Sequence, residues 1–166
     1  IVLPNKGKQK EKEKEKEKKI ILITSQPHVQ DIILKYLSFL QSQLDRSSWL
    51  IIVKPHPAED DNAYLSMEIP NFIEIKHDNV YQLLIDTDIH ISVYSTVLFE
   101  AILYGVENFT LYYDKVAKQC DEIIASGVAK KLSVDQLPLG NATSIKTRTH
   151  YFFEEFKAQK LFDLFS

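Results

Sequence analysis

Glycine and cysteine are both scarce in this sequence: four glycines and one cysteine among 166 residues. A lone Cys120 cannot close an internal disulfide, so a reducing compartment is expected. With so little glycine there is no G-x-G-x-x-G fingerprint and no glycine-rich loop to cradle a phosphate. That excludes a dinucleotide site of the usual kind. No apolar run approaches the ~20 residues that a membrane-spanning helix needs. The first residues, IVLPNKGKQ, lack both an initiator methionine and the apolar stretch of a signal peptide, so the chain reads as a piece of something longer. These absences suggest a cytoplasmic protein, or one working at the inner face of a membrane. Nowhere do His, Cys, Asp and Glu fall at metal-ligand spacing, and no bound metal or other cofactor is expected. Positive charge is missing from most of the chain as well. Between Lys6 and Lys19 lie eight lysines and four glutamates, a balance of +4, which leaves −7 for the rest of a chain whose formal net charge is −3. An acidic body argues against a nucleic-acid partner, which would require a basic face.

What is present falls into two unequal parts. Residues 1–19 contain KGKQKEKEKEKEKK, a low-complexity run without apolar residues to bury. Its Glu–Lys pairs three residues apart suit a solvated helix, and its composition equally suits a linker. From residue 20 to 166 the pattern is that of a folded domain. IILIT (20–24), WLIIVK (49–54), FIEIK (72–76), DIHISVY (88–94) and NFTLYY (108–113) read as strands, and VAKKLS as a further short extended piece. Helices are expected between them. The first is the clearest, with Val29, Ile32, Ile33, Tyr36, Leu37 and Leu40 on one face. Another follows DIHISVY, closed by Gly105, and others fall over about 116–126 and from about Thr149. The strands are continuously apolar, as when both sheet faces are covered. Alternation of strand and helix implies parallel pairing through right-handed crossovers. The expected fold is a Rossmann-like three-layer α/β/α domain with a mainly parallel sheet of about five or six strands.

In such a sheet, ligands bind beyond the carboxyl ends of the strands. The unusual polar residues of this chain fall at those ends: Thr24-Ser25-Gln26, then Lys54-Pro55-His56-Pro57, then Tyr94-Ser95-Thr96. The prolines flanking His56 restrict the backbone on both sides of it. An imidazole held there could donate to a phosphate oxygen, or it could satisfy a loop carbonyl. Ser95 and Thr96 open a helix. Either hydroxyl could cap it, worth about 1 kcal/mol, or join the free N–H groups in binding an anion. Glu100 lies one turn further on, where it could meet a ribose or solvate the helix. Lys54 could add charge beside the histidine. His28 opens the first helix beside Pro27. His90, in mid-strand, suits a hydrogen-bonded core residue.

KPHP after one strand, followed about thirty residues later by DIHISVYSTVLFEAILYG, resembles the nucleotide-binding half of a GT-B glycosyltransferase. The resemblance runs from about residue 20 to 132. It is greatest to bacterial enzymes that use cytidine-activated donors: sialyltransferases with a His-Pro motif and a Ser-Ser/Thr motif, Kdo and polysialic acid transferases of capsule synthesis, and CDP-glycerol glycerophosphotransferases. It implies transfer of a sugar or glycerophosphate from a CMP- or CDP-linked donor to a carbohydrate acceptor, in the synthesis of bacterial surface polysaccharide. By the resemblance, His56 would be catalytic and meet the departing phosphate. Ser95 and Thr96 would hold that phosphate, and Glu100 would contact the ribose or brace the loop. Thr24, Ser25 and Gln26 would line the donor cleft, with Lys54 and Pro57 beside them. The resemblance further implies that the acceptor-activating carboxylate comes from an N-terminal domain, which is expected to be missing from this chain. Activity of this polypeptide without that domain is therefore not expected.

Two other readings remain open. Non-hydrolysing UDP-N-acetylglucosamine 2-epimerases share the architecture and also carry a His-Pro pair, although with more glycine at the phosphate loop. A non-catalytic nucleotide-binding module is the other. A receiver domain would need acidic strand ends around one aspartate, whereas Asp88 begins its strand. The C-terminal helix, rich in phenylalanine (Phe152, Phe153, Phe156, Phe162 and Phe165), would pack on the body or, where exposed, support a homo-oligomer. Asn141-Ala142-Thr143 fits a glycosylation sequon only by chance in a reducing compartment.

Overall fold

The computed structural model describes residues 18–138. Six strands alternate with helices: β1 (Lys19–Thr24), α1 (Gln30–Gln43), β2 (Trp49–Lys54), α2 (Asn62–Leu65), β3 (Ile73–Ile75), α3 (Val80–Ile85), β4 (Ile89–Ser92), α4 (Val97–Ala101), β5 (Glu107–Leu111), α5 (Ala117–Ser126) and β6 (Lys130–Leu132). All six strands are parallel and lie in the order β3-β2-β1-β4-β5-β6. The chain leaves β1 in one direction to build β2 and β3, then returns to the other side of β1 for β4. The sheet therefore has a switch point between β1 and β4, where a crevice opens at the carboxyl edge.

Strand periodicity divides the core between the two faces. Ile21, Ile23, Ile51, Val53, Ile89 and Ile91 pack on one side with Ile33, Tyr36, Leu37 and Leu40 of α1 and Cys120 of α5. Leu22 and Ile52 turn to the other side, where Leu84 of α3 and Ala101 of α4 cover them. Burying each large α1 side chain contributes about 1.5–3 kcal/mol, far more than the weak intrinsic propensity of its Ile and Tyr residues. The covering on the second side is thinner. Tyr81 and Ile85 of α3, and Phe99, Leu103 and Tyr104 around α4, remain exposed.

Several element ends differ from the expected ones. β1 begins at Lys19, whose ammonium lies 5.6 Å from the Trp49 ring centroid. β4 stops at Ser92 and β5 at Leu111, so Val93–Tyr94 and Tyr112–Tyr113 belong to the loops. The helix expected after β4 is α-helical for one turn only. It tightens to a 3₁₀ turn over Ile102–Tyr104 before Gly105, at φ 70°, ends it in the left-handed region. Glycine reaches that conformation without a Cβ clash. The charged run before residue 18, the closing phenylalanine-rich helix and the sequon at Asn141 lie outside the described residues. Among the described residues no helix is long and apolar enough to cross a membrane.

Candidate functional site

The carboxyl edge is built on a buried polar network. His90, fully buried in β4, has Asn108 directly opposite in β5. The Asn108 amide nitrogen donates to the Leu98 carbonyl in α4 (2.8 Å), which turns its oxygen toward His90 Nδ1 at 3.0 Å. Nδ1 must therefore carry the proton, and Nε2 accepts from the Thr24 hydroxyl at 2.9 Å. Ser92 donates to the Thr24 carbonyl at 2.9 Å. Four elements meet in this chain: the ends of β1 and β4, β5 and the first turn of α4. Burial pushes the His90 pKa down to about 4, so the ring is neutral near physiological pH.

A second network holds the loop after β2. The Ser25 N–H donates to the Lys54 carbonyl (3.0 Å). The Ser25 hydroxyl donates to Glu59 Oε1 (2.9 Å) and lies 2.6 Å from the Tyr64 hydroxyl. Burial of Tyr64 raises its pKa well above the usual phenol range, so it remains a donor. The other Glu59 oxygen accepts the His56 N–H at 2.8 Å, and the Glu59 N–H donates to the His56 carbonyl at 2.9 Å. The Ala58 N–H donates to His56 Nδ1 at 3.1 Å. An Nδ1 that accepts leaves the proton of the neutral ring on Nε2. The ring is exposed, and Nε2 has no partner among the described residues.

The loop after β4 is different. Ser95 Oγ accepts from the Val97 N–H at 3.2 Å, the cap that the sequence allowed, and keeps its own proton free to donate. The Thr96 hydroxyl is exposed and makes no hydrogen bond among the described residues. Gln26 joins the two sides of the switch point, its Oε1 accepting from the Tyr94 N–H at 3.2 Å. Glu100, in the first turn of α4, stands beside the Tyr81 hydroxyl in the first turn of α3 and raises its pKa. Both first turns face the carboxyl edge, because each helix follows its strand.

The residues expected at the site thus share one edge while doing different work. Thr24 and Ser25 are buried and their hydroxyls are engaged within the protein, so they brace the edge and present no free group to a ligand. The Lys54 ammonium reaches the His77 carbonyl at 3.4 Å, and Pro57 is exposed. Among the described residues, the donors of His56, Ser95 and Thr96 are unengaged. Their strands, β2 and β4, flank β1, with Lys54 opposite Thr24 and Ile91 opposite Ile23. Two interstrand spacings, about 10 Å, separate the two loops at their roots.

A cleft of about 640 Å³ opens at the same edge, on the α1 side. Pro27, His28, Asp31, Glu59, Asp60 and Lys115 help line it, whereas His56, Ser95 and Thr96 do not. His28 sits there with φ 74°. Hydrogen bonds from Tyr113 and Lys115 hold the Asp31 carboxyl below its usual range. Three carboxylates against one lysine make this cleft unfavourable for a phosphate. No cluster of His, Cys, Asp and Glu suited to a metal occurs among the described residues. Sequence reasoning missed Glu59, Tyr64 and Asn108. Glu59 carried a signal, since a carboxylate three residues after a turn residue can reach back to its N–H, as in a capping box.

The strand order and the polar edge define a doubly wound, Rossmann-like domain. No protein-family model matches the chain, and no curated protein sequence matches it. Solved structures do. The glycotransferase of kitacinnamycin aligns with 95% of this chain at 13% identity and a TM-score of 0.58, covering 45% of its own length. The calicheamicin glycosyltransferase CalG4 aligns with 83% at 14% identity and a TM-score of 0.59, covering 39% of its length. The S. aureus MnaA–UDP co-structure aligns with 87% at 12% identity and a TM-score of 0.55, again over 39%. The chain therefore has the fold of one half of these larger proteins, and spans less than half of their length.

Proposed function

We propose that this chain is the donor-nucleotide-binding half of a glycosyltransferase or glycerophosphotransferase acting in bacterial surface polysaccharide synthesis, with a CMP- or CDP-activated donor. One observation carries the reading. The unengaged donors of the carboxyl edge, His56 Nε2–H and the Ser95 and Thr96 hydroxyls, flank the switch point, where doubly wound sheets hold ligands. Glycosyltransferases with the same fold support it. The acidic cleft on the α1 side favours the β4 side as the seat of the phosphate.

In the proposed reaction the bond from the nucleotide phosphate to the transferred group breaks. A hydroxyl of a carbohydrate acceptor supplies the new bond and loses its proton, and the nucleotide leaves with the negative charge. His56 Nε2–H donates to the departing phosphate oxygen, while Ser95, Thr96 and nearby backbone N–H groups hold its other oxygens. Donors fixed in advance of the charge they meet often supply the largest catalytic contribution. Acceptor binding is assigned to the remainder of a two-domain enzyme. There, His56→Ala is expected to lower turnover by about 10², on the scale of general-acid and oxyanion effects. Turnover within severalfold of the parent would show that His56 has no such role.

A second reading is favoured by the likeness to a protein solved with UDP: a UDP-sugar epimerase-like half. A binding panel of CMP, CDP, UMP, UDP and ADP separates the two. Preference for UDP supports the epimerase, and preference for CMP or CDP the transferase. Binding without turnover, with the acceptor half supplied, would mark a non-catalytic module.

A further inference from the structure

We infer that Glu59 is the positioning residue of His56, and that it acts by fixing the imidazole as the Nε2–H tautomer pointing out of the edge. The inference rests on the donor-site reading for its purpose, though not for its geometry. The Glu59 carboxylate is anchored at one oxygen by Ser25 (2.9 Å), with the Tyr64 hydroxyl at 3.4 Å, while its other oxygen takes the His56 N–H (2.8 Å). Its own N–H closes the turn on the His56 carbonyl at 2.9 Å. Backbone so held sets the Ala58 N–H against Nδ1 at 3.1 Å. That contact selects the tautomer, because two N–H groups cannot face each other. Pro55 and Pro57 narrow the backbone of the loop, yet neither has a donor to offer the ring. The carboxylate therefore determines which ring nitrogen is offered to a ligand, and Ser25 serves the site through Glu59.

Side-chain ¹⁵N NMR of the full chain tests this, with His56 assigned by its loss in His56→Ala. The wild type is expected to show one tautomer, protonated at Nε2. Glu59→Ala is expected to mix the two tautomers and to speed hydrogen exchange at the His56 and Ala58 amides about tenfold, the loss of an ordinary hydrogen bond. Glu59→Gln keeps an acceptor for the His56 N–H and a donor for the Ser25 oxygen, and is expected to restore the single tautomer. A wild-type imidazole signature in Glu59→Ala overturns the inference. Should Glu59→Ala fail to fold, Ser25→Ala decides. Mixed tautomers there support the inference, and a wild-type signature overturns it. CMP and CDP are titrated into the wild type in parallel. Failure of both to bind overturns the donor-site reading alone, since the tautomer is read without ligand.

Discussion

Two groups of loops meet at the carboxyl edge and use similar residues in opposite ways. After β1 and β2, Thr24, Ser25 and Glu59 turn their polar atoms inward, onto His90, Tyr64 and the His56 backbone. After β4, the Ser95 and Thr96 hydroxyls donate to no group among the described residues. A hydroxyl at a strand end is thus no evidence of a ligand contact until its own partners are known. The inward set builds a rigid frame, since buried polar groups that are fully paired specify one arrangement. The outward set, with His56 Nε2, is what the proposed nucleotide would meet. Substitutions should therefore separate into those that lower stability and those that lower only binding.

The largest effect is expected from Asn108→Ala. It strands the buried His90 Nδ1–H, at up to about 3 kcal/mol, and removes the hydrogen bond to the Leu98 carbonyl, about 1 kcal/mol, so urea unfolding should show a loss of about 4 kcal/mol. A loss below 1 kcal/mol would mean that water or local rearrangement replaces the pairing. Acid comes next. The His90 imidazole takes up a proton near 6.5 in the unfolded chain but only near 4 in the fold. Below pH 6.5 the unfolded chain binds that proton first. Stability from this group is then complete above pH 6.5 and falls as the pH drops toward 4, by on the order of 3 kcal/mol at 1.36 kcal/mol per pH unit. Urea midpoints between pH 7 and 4 measure it, and His90→Gln should flatten that slope. His56→Ala belongs to the outward set. Nucleotide affinity by calorimetry should fall about tenfold, for loss of one charge-assisted hydrogen bond, while stability stays within ~0.5 kcal/mol. Thr96→Ala is the smallest change, about threefold in affinity with stability unaltered, near the lower range for one hydrogen bond. If Thr96→Ala destabilised the fold as much as Asn108→Ala, the division between frame and ligand contacts would fail.

How far the sequence showed this follows the range of each interaction. The helical stripe from Val29 to Leu40 and the continuously apolar strands are local signals, and they appear as α1 and a fully parallel sheet. The polar clusters were legible as strand-end residues because the doubly wound topology places all such ends on one edge. Which clusters face inward was not legible. It depends on β4–β5 register, which sets His90 opposite Asn108, and on Ser25 meeting Glu59 across 34 residues. Neither pairing has a local pattern. The change from α to 3₁₀ before Gly105 was also hidden, since STVLFEAILYG is apolar enough to continue either way.

The proposed donor site must bind a nucleotide at this edge. Isothermal titration of CMP, CDP, UMP, UDP and ADP into the full chain tests it most directly. Saturable binding that is tightest for CMP or CDP is the expected result, and the absence of saturable heat from all five would contradict the claim.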